Sequence, residues 1–298
     1  QSQTMSSPLP SCFRPSTTTT SNLTVYHTET GPVSITWSRS MVGRSLHVEV
    51  HHDDSFDSLS FHLHITPFLF WKKHGSKKLA PNTHLFWNLS KAKFSSSPEP
   101  LSAFYVALVV HNRITLLLGD SPKEAHSNSK AHRPNTPQLL LLQKEHVFAD
   151  TLYSTRAAFA GKARLIQIDW DHSRLSFIFD GETVFQIKRL KWKFRGNHRV
   201  LVDGVHVQIS WDIYNWLFHN HNHNHNNNAH AIFIFKFQHH DDQDSNWNLG
   251  ASEWAKMGKS CSSSSTGSFS SVLEWSSVEE NQLLVPVGFS LLVYAWKR

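Results

Sequence analysis

Four cations stand at alternate positions in the stretch K-R-L-K-W-K-F-R-G-N, from Lys188 to Asn197: Arg189, Lys191, Lys193 and Arg195. Between them lie Leu190, Trp192 and Phe194. Side chains on a strand alternate between faces, so burying the three apolar residues sets the four cations in one row, about 6.5 to 7 Å apart. Such a ladder suits an anionic partner, either an acidic protein or a phosphate-bearing ligand. Trp192, or a neighbour such as Trp211 or Trp216, would then serve as a stacking platform. The competing reading is a solvated face whose charges keep an edge strand from pairing with another molecule. Buried indoles also fill cores more often than they hold ligands.

Histidine and cysteine offer less. His62 and His64 share one strand face, and His47 on a neighbouring strand would bring three imidazoles toward a transition metal. No Cys or clear fourth ligand stands beside them, so no metal site is expected and they read as polar residues of a wet face. The run H-N-H-N-H-N-H-N-N-N, His219 to Asn228, has no fixed geometry for a metal. Cys12 and Cys261 fall in Ser-rich stretches where no base is held near a thiol. The chain has no G-x-S-x-G elbow, no P-loop, no dinucleotide fingerprint and no H-E-x-x-H. No cofactor is expected, and the lack of motifs counts against an enzyme. Paired carboxylates come from distant strands, which leaves open a hydrolase acting on a carbohydrate or ester in an inter-sheet cleft.

The elements that must position these residues are strands. From Thr183 to Phe218 the apolar parity changes: Phe185 and Ile187 are odd, whereas Leu190, Trp192 and Phe194 are even. A bulge or kink near Lys188 and Arg189 reconciles the two halves. Asp180-Gly181 and Asp203-Gly204 between apolar runs signal two-residue hairpin turns. Val205, Val207, Ile209 and Trp211 then alternate with His206, Gln208 and Ser210, the pattern of a strand with one wet face. A meander of about four strands is predicted here.

Upstream, Leu46 to His51 and Leu59 to Thr66 alternate in the same way, and Phe104 to Val110 with Ile114 to Leu118 form a nearly all-apolar hairpin. Both arms of that hairpin are expected at the centre of a sheet covered on both faces. One helix is signalled by Ser121, Pro122 and Glu124 as a capping box, with a polar body over Lys123 to Ala131 that would lie on the surface and cover an edge. Residues 1–21, 219–228 and 239–271 are polar enough to predict disorder. The final strand, about 287–296, returns to the core. The expected fold is all-β: a two-sheet antiparallel sandwich or flattened barrel with one short surface helix, in a single domain over 22–298.

A chain of 298 residues can bury a sizeable core. Lys plus Arg 29 against Asp plus Glu 23 gives +6 with histidine neutral, and the pI is about 9.3. That balance favours anionic surfaces but lies far from a dedicated nucleic-acid tail. The 22 histidines would make the chain much more cationic below about pH 6. Two cysteines in Ser-rich segments make a poor disulfide framework, and with no secretory h-region this points to cytoplasm or nucleus. The chain begins at Gln1 rather than Met, which leaves open a segment upstream.

Several stretches are similar to one plant family: L-S-K-A-K-F-S-S-S-P-E-P-L-S-A-F-Y-V-A-L-V-V (Leu89 to Val110), L-L-L-G-D (Leu116 to Asp120), K-R-L-K-W-K-F-R-G-N (Lys188 to Asn197), W-D-I-Y-N-W-L-F (Trp211 to Phe218) and V-G-F-S-L-L-V-Y-A-W-K-R (Val287 to Arg298). They resemble the family catalogued as domain of unknown function eight-six-eight, from about Cys12 onward. The resemblance implies a plant protein and carries over no catalytic or binding residues. The function expected is a non-enzymatic binding or scaffold module using the Arg189, Lys191, Lys193, Arg195 row, with single-stranded RNA binding through the same row as the alternative.

Overall fold

The computed structural model describes residues 20–51, 58–66, 73–149, 151–171, 173–218, 230–238 and 288–297. The expected disordered segments lie outside these, except that Thr20 and Ser21 already belong to the first strand.

In chain order the elements are β1 (Thr20–Thr28), β2 (Gly31–Arg39), β3 (Arg44–Val50), β4 (Leu59–Ile65), β5 (His74–Ala80), β6 (Thr83–Asn88), β7 (Lys93–Phe94) and β8 (Pro100–Ser102). Then come β9 (Tyr105–Val110), β10 (Arg113–Gly119), α1 (Pro122–Ser129), β11 (Leu139–Ala149), β12 (Leu152–Phe159), β13 (Lys162–Trp170), β14 (Arg174–Phe179) and β15 (Glu182–Lys188). The chain closes with β16 (Arg195–Val202), β17 (Val205–Asp212), α2 (Tyr214–Phe218), β18 (His230–Gln238) and β19 (Phe289–Lys297).

Nine strands build one long sheet in the order β16-β17-β18-β19-β11-β1-β2-β3-β4. Two four-stranded sheets, β10-β9-β6-β5 and β12-β13-β14-β15, and the small pair β7-β8 complete the fold. The structure is therefore mostly strand, with several sheets of which none is closed. A flattened barrel is excluded for the described residues, and two sheets were too few. The final strand does return to the long sheet, antiparallel to β18 and parallel to β11.

Alternation explains which face each strand buries. On β17 the residues Val205, Val207, Ile209 and Trp211 are buried, and His206 and Gln208 are half-exposed between them. The Asp180-Gly181 and Asp203-Gly204 turns have positive φ at both positions, as type I′ hairpins require. Asp203 has φ +46° and Gly204 +81°.

The four-strand meander is corrected. Strands β14 and β15 pair in a short sheet, whereas β16 and β17 belong to the long one. The change of parity near Lys188 marks a crossing between sheets rather than a bulge within a strand. Strand β9 is buried on both faces as expected, but β10 is an edge strand of its sheet. Helix α1 forms, yet without the capping box. Ser121 makes no side-chain cap bond, and Glu124 accepts instead from Asn88 Nδ2 at 2.6 Å. It covers a sheet face rather than an edge, with Ala125 packed on Tyr105 and Ala107. A second helix, α2, was not expected.

Two large cores result. One gathers β12 to β15 with β16 to β19 around Phe177, whose ring meets those of Phe233 and Phe235 edge to face at about 6 Å. The other gathers β2 to β4 with β6, β9 and β10 around Leu46, Val48, Leu85 and Leu108. Across the long sheet, one row of neighbours reads Leu291, Gln143, Thr24, Ile35, and the next reads Val293, Glu145, Asn22, Trp37. Each row passes from the first core to the second through two buried polar residues on β11 and β1.

Candidate functional site

The connector from β15 to β16 carries the predicted site residues, and it is a turn. Arg189 adopts left-handed φ, +61°. Its carbonyl accepts the N–H groups of Trp192 at 2.9 Å and Lys193 at 3.2 Å, and Lys193 N–H also reaches the Leu190 carbonyl at 3.1 Å. A strand row of four cations is therefore not formed. The reason is local: a chain that must leave one sheet and enter another reverses at Arg189, and the period of two is lost there.

Burial separates the three apolar residues. Leu190 is 1% exposed and plugs the first core, whereas Trp192 is 86% exposed, contrary to the expectation that it faces inward. Phe194 is half-buried, with its ring 5.4 Å from Tyr214 and 5.6 Å from Phe218. Lys188, Arg189, Lys191 and Lys193 are all exposed. Arg195 stands apart from them: its Nε donates to Asp212 Oδ2 at 2.9 Å, and Asp212 is buried.

The surroundings of the turn are fixed by the two motifs K-R-L-K-W-K-F-R-G-N and W-D-I-Y-N-W-L-F. Trp211 Nε1 donates to the Lys193 carbonyl at 3.0 Å, and Ile213 N–H donates to the Phe194 carbonyl at 2.9 Å. The Trp211 ring lies over Gly196, its cross-strand partner, so closely that a Cβ there would stand 2.6 Å from Cζ2. Asp212 uses its second oxygen to accept the Tyr214 N–H at 3.0 Å, which starts α2. Trp216 lies in the core and donates to the Ala295 carbonyl at 3.0 Å. Trp211 and Trp216 are thus scaffold, and Trp192 alone of the three predicted aromatics faces solvent.

The histidines do come together on the exposed side of β3 and β4. His47 pairs with His62 across the strands, their rings 5.6 Å apart, and the His62 and His64 rings are 4.2 Å apart. Partial burial and its two histidine neighbours hold the His62 imidazole below its ordinary pKa. Among the described residues no group of three or more His, Cys, Asp or Glu is arranged to hold a metal ion. Cys12, Cys261 and the His-Asn run lie outside the described residues.

One group escaped the sequence reading. Glu145 is 4% exposed in the polar row between the two cores, and burial pushes its carboxyl up to about 7. Thr155 Oγ1 and Gln143 Nε2 both donate to its Oε1, at 2.7 and 2.5 Å. Burial raises the Glu99 carboxyl as well, and the Glu99 charge adds a smaller upward push on Glu145. Nothing in the alternation of Leu139–Ala149 sets Glu145 apart, since its partners come from other strands.

The molecule is thus mostly strand, built among the described residues of open sheets, with a basic turn that presents one indole. A family model described as plant protein of unknown function, DUF868, matches residues 16–297, and the chain belongs to that family. No curated protein and no solved structure matches it.

Proposed function

We propose that the protein is a non-enzymatic binding module whose contact surface is the Arg189–Lys193 turn. The partner is anionic, an acidic protein or a phosphate-bearing ligand. The observation that carries this is Trp192. A large indole left 86% exposed forgoes apolar burial worth about 2 kcal/mol or more. The turn that carries it is anchored on both sides: Leu190 in the core, the Lys193 carbonyl on Trp211, and Arg195 on Asp212. Such an arrangement holds the indole out, and its flanking cations supply the charge complement. Arg195 serves this reading as a positioning residue, through its pair with Asp212. For the architecture we infer two sandwiches in a single domain, a reading supported by the two short sheets sharing cores with opposite halves of the long one.

The test replaces Arg189, Lys191 and Lys193 together by Ser and measures capture of partners from plant extract at two salt concentrations. Loss of the captured partner, with a shallower salt dependence for any residue of binding, is expected. Capture that is unchanged by the triple replacement overturns the proposal.

A further inference from the structure

The turn has a chemical character more specific than positive charge. It is short and exposes a large indole, with Lys191 and Lys193, both exposed, immediately flanking Trp192 in sequence. Beside it, Phe218 is 43% exposed and packs on Phe194 and Tyr214, so a second aromatic edge borders the same end of the sheets. Lys188 ends β15 opposite Arg174, which places two more cations there. Two acids at this end are already matched, Asp212 by Arg195 and Asp171 by Arg174 at 3.2 Å.

Resting on the binding reading above, we propose that the partner is an anionic bilayer surface, with Trp192 seated at headgroup level, Phe218 beside it, and Arg189, Lys191 and Lys193 on the lipid phosphates. An indole belongs at that depth because its ring is apolar and its N–H is polar. Lysine stems lie along the apolar region while their ammonium groups stay at the phosphates. Each basic residue held near an anionic leaflet adds to the attraction, and the sum falls within a Debye length. Among the described residues no helix is long and apolar enough to cross a membrane.

Two other anions fit less well. A single-stranded nucleic acid needs a groove of cations that follows its backbone and successive rings for its bases to stack on. Here the cations flank one exposed ring in sequence, and Phe194, Tyr214 and Phe218 are turned against each other at 43° to 88°. An acidic peptide gives the charges partners but leaves the indole tip without an apolar one.

The test is co-sedimentation of the full chain with vesicles of phosphatidylcholine alone and with added phosphatidylserine, alongside fluorescence anisotropy on single-stranded RNA and on poly-glutamate. Expected is pelleting with phosphatidylserine vesicles only, lowered about tenfold or more by Trp192→Ala and again by Lys191→Ser with Lys193→Ser. Soluble phosphoserine should compete poorly, because it lacks a bilayer for the indole. Phosphoserine that competes at the concentration of vesicle headgroups overturns the bilayer reading in favour of a free anion. RNA or poly-glutamate binding through the same residues without vesicle binding overturns it too, while the broader binding proposal stands. If none of the three anions binds, or the variants change nothing, both proposals fall.

Discussion

Arg164 on β13 donates from Nη2 to Asp203, a residue of the turn that joins β16 to β17 in the other sheet. Its Nη1 donates to Asp180 at 3.0 Å, in the turn that joins β14 to β15. One buried guanidinium, 5.1 Å above the Phe159 ring, thereby holds both Asp-Gly turns and ties a short sheet to the long one. The Asp180 carboxyl is held below the usual range first by the Leu165 N–H, then by Arg164. Replacing Arg164 by Met is expected to cost about 1 to 3 kcal/mol, less than for a fully buried pair because both carboxylates are partly solvated. The midpoint of urea unfolding measures this, and a midpoint equal to wild type refutes the tie.

Glu145 sets a pH dependence with a definite sign. Its folded carboxyl titrates near 7, above the ordinary 4.5. A raised carboxyl favours the protonated form in the fold, so the stability it confers is complete below about 4.5 and lost as pH rises through about 7. Burial is nearly total, and the full difference is about 3 kcal/mol. Asn22 and Gln143 share its face, Thr155 reaches it from β12, and Glu99 adds in the same direction. Urea unfolding at pH 5 and pH 8 should show Glu145→Gln flattening the loss on the alkaline side. An identical pH slope in the variant would rule out this carboxyl as its source.

The strand layout was largely legible. Val205 to Ile209 alternates as read, Ser210 is buried where a wet position was expected, and the aspartate-glycine pairs supply the turns where hairpins were expected. His47, His62 and His64 meet on one face because period two places them there. The site was legible in part. Leu190, Trp192 and Phe194 keep a strand period, but a period of two over three residues is also what a compact turn offers when only its first apolar residue enters the core. Nothing local tells a continuing strand from a chain changing sheets, because the difference lies in which distant strands pair on each side of Arg189. The same holds for Glu145, whose burial depends on β1, β12 and β19 arriving around β11.

Gly196 tests whether the turn is held from beneath. Its cross-strand partner Trp211 occupies the space of the missing side chain. Gly196→Ala forces the indole away and weakens its bond to the Lys193 carbonyl. Overpacking of this kind costs about 1 to 3 kcal/mol. Lower thermal stability together with changed near-ultraviolet circular dichroism is expected, and a variant that matches wild type in both speaks against the contact.

Leu190 and Trp192, two residues apart in one turn, should respond oppositely to truncation. Leu190 is sealed in the core, so Leu190→Ala removes apolar contacts and leaves a cavity, at about 3 kcal/mol. Trp192 is almost wholly in water, and Trp192→Ser should leave the unfolding midpoint within about 0.5 kcal/mol of wild type. Binding to the anionic partner should follow the reverse order at temperatures where both variants are folded: lost with Trp192→Ser and largely kept with Leu190→Ala. If Trp192→Ser instead destabilises the fold as Leu190→Ala does, the indole packs against the protein and the turn is no contact surface. The pair of measurements thus separates a residue that anchors the turn from one that the turn exists to display.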